Sequence, residues 1–202
     1  MCRYNNKNPN IWFRINNKSL KKSIETQLKD LNISFIYHEL NNIFFKSSSS
    51  FLLIESDLFK SGLLSIQNPL NGFIVNLLNP SDDDIIIDGC SAPGGKGSLL
   101  SVIAPKSTIF SIDNNKSRMN KMISSNKRQK IKNIIPKVLD MSRDVLPEAN
   151  KILIDVPCSG TGVINRRVDL RWNRKEEDIK KVSALQYKIL ENTKKRLKFE
   201  FL

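Results

Sequence analysis

The chain has 202 residues, 40% hydrophobic and 26% charged, long enough for one large domain with its own core and no need of disulfides. Three widely spaced cysteines (Cys2, Cys90, Cys158) and a single histidine, His38, argue against a disulfide framework, a Cys/His zinc site and a Ser–His hydrolase, and fit a reducing cytoplasm. The formal net charge of +13 points to a polyanionic partner, most simply nucleic acid, with codon drift toward Lys, Asn and Ile as the competing source. No apolar run approaches the ~18 residues of a membrane span, and the first ten residues carry no signal-peptide core.

In chain order, residues 11–15 (IWFRI) read as a strand. Ser19 can cap a helix over 20–31, with Leu20, Ile24, Leu28 and Leu31 at helical spacing. Residues 33–37, 43–46 and 51–55 read as strands, with a turn at 47–50. Residues 67–78 read as a helix that tolerates Pro69 in its first turn. The Asn79-Pro80-Ser81-Asp82-Asp83-Asp84 turn then divides a small α+β segment, 1–80, from a second unit, 81–202. Strands at 85–88, 108–112, 133–138 and 151–154 alternate with helices at 97–103 and 117–125, and a long helix covers 176–197. Such alternation predicts an α/β fold on a mostly parallel sheet.

Chemistry concentrates at the strand ends, where open parallel sheets bind ligands. After the first strand comes Asp88-Gly89-Cys90-Ser91-Ala92-Pro93-Gly94-Gly95-Lys96. Its glycines permit close backbone approach, and the next helix offers N-terminal amides. Asp113 ends the second strand, where an acid can accept ribose hydroxyls; Asp140 and Asp155 follow the third and fourth. Taken singly, Asp113 and Asp140 read better as solvated strand ends or helix caps, and the glycine pair reads equally well as an ordinary tight turn; the spaced set after one Gly-rich turn is what favours a site. Cys158 lies in Asp155-Val156-Pro157-Cys158-Ser159-Gly160-Thr161-Gly162, a proline-stiffened loop where a thiol need not be a core residue. Residues 116–137 hold eight Lys/Arg and no acid, and Arg166, Arg167, Arg171 and Arg174 cluster around Trp172. Arginines beside an aromatic suit RNA, through phosphate contact and base stacking; the alternative is a solvated basic face with one packed Trp.

The stretches IIIDGCSAPGGKG, DNNKSRM and DVPCSGTGVINRRVDLRW resemble the RsmB/Sun (Fmu) group of S-adenosylmethionine-dependent RNA (cytosine-5) methyltransferases, which modify 16S ribosomal RNA. The resemblance runs from about residue 8 to 197 and includes SIQNPLNGFIVNLLNP at 65–80. It implies a Rossmann-like class I fold binding S-adenosyl-L-methionine. Cys90, Ser91, Ala92, Pro93, Gly94, Gly95 and Lys96 would wrap the methionine part, Asp113 the ribose and Asp140 the adenine. Asp155 would lie by the transferred methyl and target base, with Arg166, Arg167, Arg171 and Trp172 on the RNA. In that group a thiolate adds to C6 of cytosine so that C5 can attack the methyl. The nucleophile comes from a later TC[ST] motif, and the cysteine matched by Cys158 assists product release. The 202 residues contain no TC[ST] motif, and Gly97 stands where the group has Thr. The sequence therefore predicts a monomeric cytoplasmic protein with an incomplete methyltransferase sheet, its later strands missing. The rival expectations are a non-catalytic remnant that binds cofactor or RNA, and a tRNA-directed member of the same group.

Overall fold

The computed structural model describes residues 10–165, 167 and 169–198. The first part is a four-stranded antiparallel sheet in the order β2-β3-β1-β4, built from β1 (Trp12–Ile15), β2 (Ile36–His38), β3 (Asn41–Lys46) and β4 (Leu64–Ile66). Phe13 on β1 stacks on Phe45 of β3, with ring centroids 5.7 Å apart, an arrangement that adds to the area both rings bury.

Helix α1 (Lys21–Asp30) is polar except for Ile24 and Leu28, which stand one turn apart and are buried. The expected cap at Ser19 is corrected. Asn17 instead accepts from the Ser19 amide and caps a 3-10 turn, Lys18–Leu20. Leu20 and Leu31 flank α1 and are exposed, so only the two central residues form its buried stripe. The strand expected from residue 33 begins at Ile36. Asn32, at φ 54, ends α1, and the Ile33 amide turns back to the Leu28 carbonyl at 2.8 Å, which keeps Ile33 in a helix C-cap.

Residues 51–55, expected as a strand, are helical: α2 (Ser50–Glu55), followed by α3 (Asp57–Lys60). Only Leu53 of this apolar run is fully buried, while Phe51 and Leu52 face outward. Burial on one side of a short run fits a helix as well as a strand, and period alone does not separate the two. Helix α4 (Pro69–Leu77) has Pro69 in its first turn, and the Asn68 side chain accepts from Leu70 N.

The second part is a parallel sheet in the order β7-β6-β5-β8, formed by β5 (Ile85–Gly89), β6 (Thr108–Asp113), β7 (Ile134–Val138) and β8 (Lys151–Ile154). Helices α5 (Gly95–Ile103) and α6 (Lys116–Arg128) connect β5 to β6 and β6 to β7. Two later helices follow, α7 (Leu170–Asn173) and α8 (Glu176–Lys194). The sequence pattern carried α8 to 197; the structure ends it at Lys194, and Leu197 forms a bridge with Ala149. β5 buries Ile86 and Ile87 on opposite faces, as the period of two requires. Ile86, Leu99, Leu100 and Ile109 share one hydrophobic cluster with Phe13, Phe44 and Phe45 of the antiparallel sheet. Ile87 and Ile112 pack with Met141, Leu146 and Ile189 on the other face. Among the described residues no helix is long and apolar enough to cross a membrane, and no cluster of acids, cysteines or histidines could hold a metal ion.

Candidate active site

Strand order fixes where the site lies. The chain runs outward from β5 through β6 to β7, then returns to place β8 on the other side of β5. The carboxyl ends of β5 and β8 therefore flank the switch point, the place where open α/β sheets open a crevice. Two adjoining cavities, of about 420 and 340 Å³, open there. Asp155 and Ala92 line both.

The turn after β5 is built by special backbone geometry. Cys90 adopts φ 56 and Gly94 φ 95, and the Ala92–Pro93 peptide is cis. A Cβ on Gly94 would come 2.4 Å from Met122 Cγ, so α6 packs directly on the turn and only glycine fits. Gly94 thus serves the turn and lines neither cavity.

The larger cavity is walled by Cys90, Ala92, Asp113, Asp140 and Asp155, with Met141, Leu185 and Ile189 supplying apolar surface. Asp113 is buried and holds the turn: its Oδ2 accepts from Ala92 N at 3.2 Å, and its Oδ1 from Asn115 N at 2.9 Å. Arg118, itself half-exposed, pairs with the same oxygen at 2.9 Å. A diol seeking Asp113 would therefore share its oxygens with two backbone amides and a half-exposed arginine. Asp140 accepts from the Ser142 amide and hydroxyl at 2.9 and 2.6 Å and pairs with Arg143 at 3.2 Å. The Ser142 bonds, with Arg143 adding to them, hold its carboxyl below the ordinary range. Cys90 is half-buried; desolvation, with Asp113 and Asp155 nearby, pushes its thiol up to about 11. At neutral pH that sulfur is protonated and a poor nucleophile.

The smaller cavity is lined by Ser91, Pro93, Gly95 and Lys96 together with Gln67, Asn68 and Asn71. Lys96 reaches across the smaller cavity to Asp155 at 2.5 Å, and Asp155 is part of the wall shared by both. Behind it Asp88 is fully buried. Desolvation raises its carboxyl to about 7, and its Oδ1 has no hydrogen-bond partner.

Cys158 is exposed on the loop after β8 and lines neither cavity. Trp172 is 82% exposed, so it is not a packed core residue. Arg167 pairs with Asp169 at 3.0 Å on the surface. Arg166 and the side chain of Arg171 lie outside what the structure describes, as does Cys2.

Sequence reasoning missed Arg14, which is fully buried yet has no carboxylate among its hydrogen-bond partners. It donates to Asn16 Oδ1 at 2.9 and 2.7 Å, to Gln67 Oε1 at 2.6 Å and to Ser98 Oγ at 3.1 Å. Gln67 in turn donates to the Gly95 carbonyl at 2.8 Å. The antiparallel sheet is thereby tied to the turn that shapes both cavities. The one signal in the sequence was an arginine inside an otherwise apolar strand.

Comparison with known proteins follows the same outline. A family model described as 16S rRNA methyltransferase RsmB/F matches residues 75–200. Ribosomal RNA small subunit methyltransferase B of Yersinia enterocolitica is 29% identical over 199 residues, which cover 96% of this chain and 46% of the relative. The same-named protein of an Enterobacter species is 28% identical over 191 residues, covering 93% and 45%. The chain thus spans about half the length of the curated relatives it matches. Among solved structures, PH0851 superposes with a TM-score of 0.86 at 28% identity, over 96% of this chain and 45% of that one. NSun6 from Pyrococcus horikoshii, crystallised with SFG, superposes at 0.82 and 18% identity over 96% of this chain and 75% of that one, a likeness of fold.

Proposed function

This chain belongs to the 16S rRNA methyltransferase RsmB/F family, and on that premise we propose that it forms the cofactor- and base-binding part of an S-adenosylmethionine-dependent RNA (cytosine-5) methyltransferase acting on 16S ribosomal RNA. The observation that carries the reading is the convergence of Asp113, Asp140, Asp155 and the Cys90–Lys96 turn on one crevice at the switch point of the sheet. The donor set fits S-adenosylmethionine. A buried carboxylate at Asp113 suits ribose hydroxyls, the apolar surface of Met141, Leu185 and Ile189 suits an adenine ring, and the turn of residues 90–96 suits the methionine end.

When bound, the cofactor supplies an electrophilic methyl group. Asp155 lines both cavities and Lys96 the smaller one, which gives the smaller one a carboxylate and an ammonium to hydrogen-bond the edge of an entering base. The α4 cap supports this reading by adding the neutral carboxamides of Asn68 and Asn71 to that wall. C5 of cytosine attacks an electrophile only after a thiolate has added to C6. Cys90 is ill suited to that step because its thiol is held protonated. Cys158, by the family resemblance, serves adduct release. In this reading residues 1–202 bind cofactor and RNA and leave the nucleophilic step to a thiol outside them.

Calorimetry with S-adenosylmethionine and tritiated-methyl transfer to unmodified 16S RNA test the reading together. Cofactor binding without transfer is expected from the 202 residues alone. Absence of cofactor binding by a folded chain refutes the proposal. Turnover that disappears in Cys158→Ala refutes the assignment of Cys158 to release.

A further inference from the structure

We propose that a second RNA site lies at the opposite end of the parallel sheet: a cleft that grips the phosphate backbone through Lys18, Lys130 and Lys132. The inference rests on the RNA-methyltransferase reading and assigns a surface that reading does not use. The cleft, of about 750 Å³, is the largest of the cavities described. It lies between the 3-10 turn Lys18–Leu20, residues 61–63 before β4, the end of α5 and the segment that leads from α6 into β7. These are the amino ends of the parallel strands, whereas the acids of the active site stand at the carboxyl ends. A five-residue strand rises about 3.3 Å per residue, which sets the two openings on the order of 15–20 Å apart.

Its electrostatics are the reverse of the active site's. Three acids line the 420 Å³ cavity, but no Asp or Glu lines the cleft. Lys18, Lys130 and Lys132 are all exposed, and none has an ion pair among the described residues. Most of the polar side chains around them are already committed to the fold. Asn16 donates to the Gly62 carbonyl and Ser65, Gln129 to Ser125, and Asn133 to the Ala104 carbonyl. The walls are therefore built, and the ammonium groups are the charged donors left over for a ligand, with the Asn17 carboxamide beside them.

The end of α6 sets Lys130 on this wall. It sits at φ 58 just past α6, in the left-handed conformation that glycine or asparagine normally takes at a helix end. Lys127 and Arg128, in the last turn, already complement the helix dipole. The basic run of residues 116–137 also divides in space. Arg118 turns to Asp113, Arg128 to the carbonyls of Phe59 and Leu64, and Lys137 lies over the Phe110 ring. Lys130 and Lys132 instead line the same cleft as Lys18, more than a hundred residues away in sequence.

Lysines bind phosphate as point charges, and no aromatic ring lines the cleft to stack a base. The contact is therefore to backbone: it adds affinity and salt dependence without reading sequence.

The test uses the whole chain carrying K18Q, K130Q and K132Q together. Fluorescence anisotropy follows binding to a single-stranded 16S RNA fragment and to oligouridylate across a potassium chloride series. A control triple, K22Q, K29Q and K188Q, removes the same charge from exposed lysines elsewhere. At about 0.7 per phosphate contact on a single strand, the cleft triple should flatten the slope of log affinity against log salt by about 2. Both RNAs should be affected equally, with cofactor affinity unchanged. Arginine at the three cleft positions should restore the slope. Equal flattening by the two triples, or an unchanged slope in the cleft triple, overturns the cleft while leaving the RNA reading intact. A parent chain that binds RNA with no salt dependence overturns both.

Discussion

Replacing Arg14 with Met sets two large terms against each other. Burial without a carboxylate partner lowers the Arg14 guanidinium from 12.5 to about 9. At about 1.4 kcal/mol per unit, that is roughly 5 kcal/mol against keeping the charge inside, and Met would recover it. The opposing term is what Met leaves behind. Four bonds from a charged donor, at 2.6–3.1 Å, are worth roughly 1.5–3 kcal/mol each and together outweigh the desolvation. Asn16 Oδ1 and Gln67 Oε1 would lose their donor in the interior, and only partial hydration could relieve them. The expected net effect is a loss of about 1–7 kcal/mol, or a fall in Tm of roughly 2–28 °C for a chain of this size. The assay is a urea titration with a thermal melt, followed by cofactor calorimetry under folding conditions. Cofactor affinity should fall as well, because Gln67 would no longer hold the Gly95 carbonyl in place. An Arg14→Met protein as stable as its parent would refute the reasoning, since it would mean that the desolvation term exceeds the bonds.

The remaining predictions concern the turn and its neighbours. Burial holds the Asp88 carboxyl at about 7 against 3.8 in the unfolded chain. The folded state therefore keeps a proton that the unfolded state has lost, and its contribution to stability falls as pH rises from about 4 to 7 and stays flat above. Asp88→Asn should be more stable than the parent at pH 8, by up to roughly 4 kcal/mol, and should lose that advantage near pH 4; parallel urea midpoints that do not diverge with pH would refute this. Gly97→Ala would ordinarily stabilise a helix by about 0.4–1 kcal/mol. Here the new Cβ would come 2.6 Å from Asp88 Oδ2 and 2.9 Å from Ser111 Oγ, so denaturant titration should show a loss of about 1–3 kcal/mol. Asp113→Ala should weaken S-adenosylmethionine binding by about 1–3 kcal/mol in calorimetry, and an unchanged affinity would remove Asp113 from the site.

The α/β alternation from residue 85 onward was legible because each element announces itself locally. The β-branched run at 85–87 makes a strand, the Gly94-Gly95 pair makes a turn, and an acid closes each strand. The acids' convergence on one crevice was legible too, because strand ends in a parallel sheet share an edge whatever the details of packing. Residues 51–55 show the limit. An apolar run of that length suits either period, and burial of Leu53 on one side only is set by what it packs against. Arg14 shows another: its apolar strand neighbours hint at burial, but its bonds span separations from 2 to 115 residues, and the sequence does not name those partners. The cleft of Lys18, Lys130 and Lys132 belongs to the same class. Local rules follow from backbone sterics and side-chain period, which act over a few residues. Which polar groups meet inside, and which lysines share one surface, depends on contacts between distant segments, and only the packed chain makes those.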